Sequence, residues 1–374
     1  LNKNILYIGG FNFVTENASS IRVIENARFL KQLGYNCVVM GKTECNLVKY
    51  YKDIKLINIQ TSNNRDIDFS TNCISVISEI ESFATPPIVI AYNYPTIAFY
   101  KLQKYCKNNN IVLIPDITEW HGIDGRISIL KILRYILNNY KMRHLNKKCK
   151  NIILATDHLS NLYGKSNQLI LPFVTIDKTG PTSFKSNNMR RFIFAGTLGE
   201  NFSKDRLDIL IKAFAKLNAK QFEVHIVGPS KQELFSSCIA KDLKMLSEKI
   251  KIYGRVPNRK VKHIMKSTDF VIFARNVKRI TKVGYPTKVF EAFKMGIPVI
   301  TNRTSNLDKH IINNKNGFLI KELNVDKFVE VLEKAIDMPS TDLKKMKEEC
   351  VLNNPFYYKN HEENIIKFFK NLQI

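Results

Sequence analysis

The chain has 374 residues and a formal net charge of +25, from 58 Lys and Arg against 33 Asp and Glu. That length suits two domains of about 150–200 residues each, and 44% hydrophobic residues with 23 Phe exclude a disordered protein. No run of about 18 or more apolar residues is present, so no membrane-spanning helix is expected. The N-terminus, LNKNILYIGG, leads straight into a strand and shows no signal-peptide layout. Seven cysteines without C-x-x-C pairing read as scattered thiols of a reducing compartment. Seven histidines without H-E-x-x-H or other ligand spacing give no metal site. The positive charge implies attraction to phosphate-rich partners: nucleic acid, an anionic bilayer or phosphorylated small molecules. It is spread over several helical segments rather than gathered in a tail, and the richness in Lys, Asn and Ile is also what AT-rich coding produces.

In chain order, strands are expected at Asn4–Gly9, Cys37–Met40, Lys55–Ile59, Ile88–Ala91 and Ile111–Pro115. Helices are expected at Ile21–Leu33, closed by Gly34, and at Ile74–Phe83 and Thr96–Lys107. Such alternation predicts a parallel sheet covered on both faces, with ligands beyond the carboxyl ends of its strands. After the first strand come Gly9, Gly10 and Phe11, then Asn17-Ala18-Ser19-Ser20-Ile21-Arg22. Gly10, Ser19, Ser20 and Arg22 are candidates for an acceptor or phosphate site; a plain turn capped by Ser19 or Ser20 is the equal alternative. G-x-G-x-x-G is absent. After Ile111–Pro115, the run Asp116-Ile117-Thr118-Glu119-Trp120-His121 places two carboxylates, the only Trp and a His at a strand end. Asp116, Glu119 and His121 are therefore catalytic candidates, against a capping Asp and a tucked aromatic. Arg126–Lys150 repeats Ile127, Leu130, Leu133, Ile136 and Leu137 at helical spacing beside Lys131, Arg134, Lys141 and Arg143. It reads as a core-packed helix with a solvated basic face, or as an amphipathic helix lying on an anionic bilayer. A strand at Asn151–Ala155 and a short helix at Leu159–Tyr163 follow.

Leu169–Ser186, with two prolines and a glycine, reads as an inter-domain linker. A second alternating series then begins. Strands are expected at Arg191–Ala195, Phe222–Val227, Lys251–Tyr253 and Phe270–Ala274, and helices at Arg206–Lys216, Gln232–Lys249 and Arg259–Lys266. The stretch GYPTKVFEAFKMGIPVITN comes next: a turn, a short helix, Gly296 to stop it and a strand at Val299–Thr301. A helix start with unpaired N–H groups is an anion site. Lys288 in its first turn suits an anionic ligand, and Glu291 one turn on is placed to accept from two hydroxyls. The competing reading is an ordinary amphipathic helix with Val289, Phe290, Ala292 and Phe293 inward. A last strand begins after Asn316-Gly317, and helices near Val325–Ile336, Ser340–Glu349 and His361–Asn371 close the chain.

The succession FIFAGTLGENFSKDRLDILIKAFAKL, FEVHIVGPSKQEL, KIKIYGRVPNRKVKHIMKSTDFVIFAR, GYPTKVFEAFKMGIPVITN and IINNKNGFLI resembles family-4 glycosyltransferases. The likeness is strong over about residues 190–320 and looser in the N-terminal half. It implies an α/β chain of the GT-B fold, two Rossmann-like doubly wound domains facing an inter-domain cleft. The divisions expected are 1–172 for the acceptor, 173–355 for the nucleotide sugar, and 356–374 as a helix returning to the first domain. By the same resemblance, Gly196 and Thr197 match the glycine turn near the donor phosphates. Lys204 matches the basic residue that would neutralise the departing diphosphate, and Arg255 and Val256 match the loop holding the nucleobase. Thr287 and Lys288 fall at the phosphate-facing helix start, and Glu291 matches the second glutamate of the E-x7-E pair. Val283 stands where the first glutamate would be, and Thr197 where an Arg is usual.

The expected activity is a retaining, nucleotide-sugar-dependent hexosyl transfer, UDP- or GDP-linked and without a cofactor or metal. The acceptor would be a glycan or lipid-linked saccharide of bacterial-type surface polysaccharide synthesis. The expected location is cytoplasmic, with peripheral contact to the membrane face as an open addition. The alternatives are a GT-B-fold sugar-nucleotide epimerase and a basic nucleic-acid-binding protein, the latter without a helix-turn-helix, zinc or RNP signature.

Overall fold

The computed structural model describes residues 3–13, 18–42, 49–59, 73–123, 128–177, 189–199, 202–217 and 221–373. The chain divides into two compact units, one of residues 1–178, 283–285 and 356–374, the other of residues 179–282 and 286–355.

In the first unit the elements run β1 (Asn4–Asn12), α1 (Ala18–Gln32), β2 (Asn36–Lys42), β3 (Lys49–Tyr51), β4 (Ile54–Asn58), α2 (Cys73–Glu81), β5 (Ile88–Tyr92), α3 (Thr96–Asn108), β6 (Leu113–Ile117), α4 (Ile129–Tyr140), β7 (Asn151–Leu154) and β8 (Asn167–Ile170). The strands form one sheet in the order β3-β4-β2-β1-β5-β6-β7-β8, parallel except where β3 meets β4. Strands covered on both faces are apolar at nearly every position, and β1 shows why. Ile5 and Tyr7 enter one core, lined also by Val23, Ile24, Ile90 and Phe368. Leu6 and Ile8 enter the opposite one, with Val89, Phe99 and Leu102. Successive side chains of a strand point to opposite faces.

The second unit runs β9 (Arg190–Ala195), α5 (Leu207–Ala215), β10 (Phe222–Val227), α6 (Lys231–Phe235), α7 (Ala240–Met245), β11 (Ile250–Gly254), α8 (Asn258–Lys266), β12 (Phe270–Ile272), α9 (Arg279–Val283), α10 (Thr287–Lys294), β13 (Val299–Asn302), β14 (Gly317–Ile320), α11 (Val325–Asp337) and α12 (Ser340–Leu352). Its six strands lie in the order β11-β10-β9-β12-β13-β14, all parallel. A last helix, α13 (Glu362–Lys370), buries Ile365, Phe368 and Phe369 in the first unit.

Several boundaries differ from the sequence reading, each for a local reason. The expected linker opens instead on β8, whose partner is β7, and Leu171, Phe173, Val174 and Thr175 beyond it are buried. The single helix expected over Gln232–Lys249 is two. The first ends at Ser236 and Ser237, whose hydroxyls donate back to the Gln232 and Leu234 carbonyls at 2.8 and 2.6 Å, local bonds of the kind that compete with continued helix. The helix expected to reach Lys150 ends as α at Tyr140 and continues as a wide turn over Lys141–Leu145. There the Met142 carbonyl accepts from the Tyr163 hydroxyl at 2.7 Å and Lys141 reaches inward to the Tyr94 carbonyl at 2.6 Å. Arg126 and Ile127 lie outside the described residues.

Gly317 pairs with Val299 where β14 meets β13. A Cβ at Gly317 would overlap the Val299 carbonyl oxygen and stand 3.0 Å from its nitrogen. Gly317→Ala must therefore push two paired strands apart. It should lower stability by roughly 1–3 kcal/mol, the usual penalty of overpacking, read as a fall in the urea midpoint at unchanged slope.

Candidate active site

Strand order places the site of the second unit. The chain steps from β9 outward to β10 and β11, then returns to the other side of β9 for β12, β13 and β14. Ligands of open α/β sheets bind where the order reverses, beyond the carboxyl ends of the strands. Here that is the end of β9, and the candidates Gly196, Thr197, Lys204, Lys288 and Glu291 cluster round it.

Gly196 follows β9 directly and its N–H donates to the Val227 carbonyl at 3.0 Å. The absence of a side chain makes room for a lysine: a Cβ on Gly196 would lie 2.5 Å from Lys288 Nζ and 3.0 Å from Asp205 Oδ2. Lys288 and Asp205 form an ion pair, their side chains 17% and 3% exposed. Arg275, at the end of β12, puts Nε 3.5 Å from the other Asp205 oxygen. The Lys288 ammonium also lies 4.8 and 5.2 Å from the centres of the Phe194 and Phe273 rings, within cation–π range. Burial pushes the Lys288 pKa down, and the Asp205 carboxylate works against that shift. The arrangement is a poised cation, partly desolvated, under a turn with no side chain in the way.

Lys288 sits at the start of α10, whose N-cap is Pro286 and which no side chain caps. Val289, Phe290, Ala292 and Phe293 are buried, so the apolar face expected of an ordinary helix is present together with the polar one. Glu291, one turn beyond Thr287 and Lys288, is partly buried. Burial raises its pKa, with Lys262 and Lys288 opposing. Thr287 is partly buried beside Lys288 at the helix start. Lys204 is exposed; its Nζ approaches Thr197 Oγ1 at 3.4 Å and its N–H donates to the Leu198 carbonyl at 2.9 Å. The Gly196-Thr197 turn and the Lys204-Asp205 loop are thus closed on each other. Arg255 and Val256 follow β11 on the same sheet edge. Arg255 is 83% exposed with Glu233 at 4.0 Å, and Val256 is partly buried. Asp205 and Arg275 were not anticipated. The signal available was position, since Arg275 lies just beyond β12, at the edge that holds the other candidates.

The candidates of the first unit separate. Asp116 and Arg22, expected to act on an acceptor, are partners of each other in the interior: Arg22 NH2 lies 2.9 Å from Asp116 Oδ1, with exposures of 2% and 0%. The Tyr7 hydroxyl donates to the other Asp116 oxygen, and Arg22 NH1 donates to the carbonyls of Leu171, at 2.7 Å, and Pro172. Burial works against the Arg22 charge, but Asp116, Tyr7 and Tyr92 together outweigh it and the guanidinium pKa is raised. Two residues far apart in sequence thus neutralise each other inside the core, where Asp116 was expected to be a catalytic group at a strand end and Arg22 an acceptor or phosphate ligand at a helix start. Ser19 and Ser20 stand in the first turn of α1 rather than capping it, Ser20 buried at 2% and Ser19 partly so. Gly10 lies within β1 and is partly buried.

Beyond β6 the chain turns outward. Thr118 and Asn93 exchange two hydrogen bonds, Thr118 N–H to Asn93 Oδ1 at 3.0 Å and Asn93 Nδ2 to Thr118 Oγ1 at 2.6 Å. This fastens the ends of β5 and β6 together. Trp120 is buried, its Nε1 donating to Asn139 Oδ1 at 3.2 Å. Glu119 and His121 stay on the surface, 48% and 56% exposed, with His121 Nε2 2.9 Å from Glu119 Oε2. Val283, where a glutamate was expected, is 1% exposed in the first unit's core, and its carbonyl accepts from Thr156 Oγ1 at 3.0 Å. A carboxylate there would be buried among apolar side chains. Among the described residues, no group of three or more His, Cys, Asp and Glu could hold a metal ion.

Residues 180–351 match the family described as Glycosyl transferases group 1. No curated protein matches the chain. Among solved structures, sucrose-phosphate synthase from Thermosynechococcus elongatus is similar with a TM-score of 0.76 at 9% identity, over 99% of both chains. A glycosyltransferase from Rickettsia africae ESF-5 gives 0.68 at 15% identity, over 99% of this chain and 98% of that one. Anabaena HepE in complex with UDP-glucose gives 0.62 at 11%, over 99% of this chain and 100% of that one. The fold is GT-B. The family match and the fold together support a glycosyltransferase.

The Arg22–Asp116 pair yields a test. Asp116→Ala leaves a guanidinium buried without its counter-ion and should destabilise by about 3–5 kcal/mol, whereas Arg22→Met with Asp116→Leu should recover most of that loss. Urea unfolding reads both. Unchanged stability in Asp116→Ala would return Asp116 to the list of catalytic candidates.

Proposed function

We propose that the protein moves a hexosyl group from a nucleotide-diphosphate donor, UDP- or GDP-linked, to a glycan or lipid-linked saccharide, with retention, in surface polysaccharide synthesis. The observation that supports this reading above all is the Gly196–Lys288–Asp205 cluster at the strand-order reversal of the second sheet. Breaking a sugar–phosphate bond builds negative charge on the departing diphosphate. A partly desolvated ammonium and the N–H groups of an uncapped helix start, fixed before the reaction, stabilise that charge where it develops.

In this reading Lys288, Thr287, Gly196 and Thr197 hold the diphosphate. Lys204, on the exposed side of the same turn, neutralises it as it leaves. Glu291, one turn down α10, accepts from the ribose hydroxyls. Arg255 and Val256 take the base. Asp205 and Arg275 touch no substrate; Asp205 positions Lys288 and favours its charge, and Arg275 pairs with the other Asp205 oxygen. In the first unit, Gly10 and Ser19 are the remaining acceptor candidates. The surface pair Glu119 and His121 orients a hydroxyl of the acceptor or of the donor sugar. Retention and the polysaccharide pathway come from the family resemblance.

Two measurements bear on the donor site. A thermal-shift panel of UDP, GDP, ADP and their sugars should show stabilisation by one base, about 2.7 kcal/mol at a hundredfold excess over Kd. Glu291→Ala should abolish it, and stabilisation by none of them would refute the reading. The second is pH. Only the charged ammonium binds a diphosphate, so affinity is full below the Lys288 pKa and lost as pH rises through it. Burial already lowers that pKa and Asp205 opposes the fall. Asp205→Asn should therefore move the alkaline loss of nucleotide binding to lower pH. An unshifted profile would mean that Lys288 does not contact the nucleotide.

A further inference from the structure

Helices of globular domains turn their apolar stripe inward; α4 does the reverse. Ile129, Leu133, Ile136 and Tyr140 recur at helical spacing along one face and are 84%, 51%, 56% and 49% exposed. Leu130 and Ile132 widen the stripe, and no residue of the helix is buried. Hydrogen bonds attach it to the domain. Asn139 accepts from the indole of Trp120, the Leu137 carbonyl accepts from Thr96 Oγ1 at 3.1 Å, and Tyr135, Leu137, Asn138 and Asn139 are the partly buried side. Ile97 and Tyr100, next to Thr96 on α3, are about half exposed as well. A monomeric protein rarely leaves so continuous an apolar face in water.

An apolar face alone does not say what covers it; the charge beside it does. Lys131 and Arg134 lie on α4 itself, and Arg143, Lys147 and Lys148 on the turns that follow, all exposed. Residues 128–150 contain no Asp or Glu. A second copy seated here would set these cations against their own kind. An anionic bilayer offers hydrocarbon to the isoleucines and leucines and phosphate to the cations, the combination that holds interfacial helices. The helix has 12 residues, about 18 Å, too short to cross a bilayer and suited to lying on one. No helix of the described residues is long and apolar enough to cross a membrane. We propose that α4 and the basic turns after it dock the protein flat on a membrane surface rich in anionic lipid. This surface does not depend on the donor-site reading.

The test is sedimentation of the full chain with phosphatidylcholine vesicles, with and without phosphatidylglycerol, in the absence of substrate. Binding is expected only to the anionic vesicles, weakening as salt rises. Leu133→Gln with Ile136→Gln, and separately Lys131→Glu with Arg134→Glu, should each weaken partitioning roughly tenfold or more. Both variants should melt as the parent does, since none of these side chains enters the core. Failure to bind anionic vesicles, or equal binding by parent and variants, would overturn the proposal. So would a parent dimer that the Gln variant converts to monomer, because the face would then belong to a second copy.

Discussion

A strand covered by helices on both faces can carry chemistry only at its end. Along β5, at Ile5–Ile8 of β1 and at Phe192–Phe194 of β9, every side chain is buried and apolar. Polar function is thereby driven to the carboxyl edge, and there the backbone needs room. Gly196 and Gly228 meet that need together. A Cβ on Gly228 would overlap the Gly196 carbonyl, and one on Gly196 would displace Lys288. The parallel sheet thus determines where the site lies, and the glycines determine how closely a ligand can approach it.

Two buried ion pairs show how similar chemistry serves different ends. Around Arg22 and Asp116, both carboxylate oxygens have partners and the guanidinium is divided between Asp116 and two carbonyls. That pair is closed: both carboxylate oxygens and both terminal guanidinium nitrogens are engaged within the core, where an unpaired charge would be very unfavourable. The Lys288–Asp205 pair is open. An ammonium has three donors, Gly196 beside it bears no side chain, and Lys288 keeps 17% of its surface. A closed pair stabilises a fold, whereas an open one at a strand-order reversal can receive an anion.

Within the first unit, the contrast between α13 and α4 follows from the same accounting of surface. Helix α13 gives Ile365, Phe368 and Phe369 to the core. Helix α4 has comparable apolar side chains and gives none. Its polar side is engaged by Trp120 and Thr96, which fixes the rotation of the helix and turns the apolar stripe outward.

That Gly196, Lys288 and Glu291 serve one site was what the family resemblance implied. The sequence alone determined the alternation of strands and helices and the stops at Gly34 and Gly296. These rest on short-range physics, periodicity and turn chemistry, which neighbouring residues express without the rest of the chain. Only the tertiary structure decided that Asp116 faces inward, that Asp205 holds Lys288, and that the amphipathic segment after Gly122 presents its apolar stripe to the outside. The first two turn on partners 94 and 83 residues apart. The third turns on which side of a helix its neighbours bind. A single chain read in order shows that a residue is charged or that a stripe is apolar. What that charge or stripe faces depends on contacts formed only when distant segments pack.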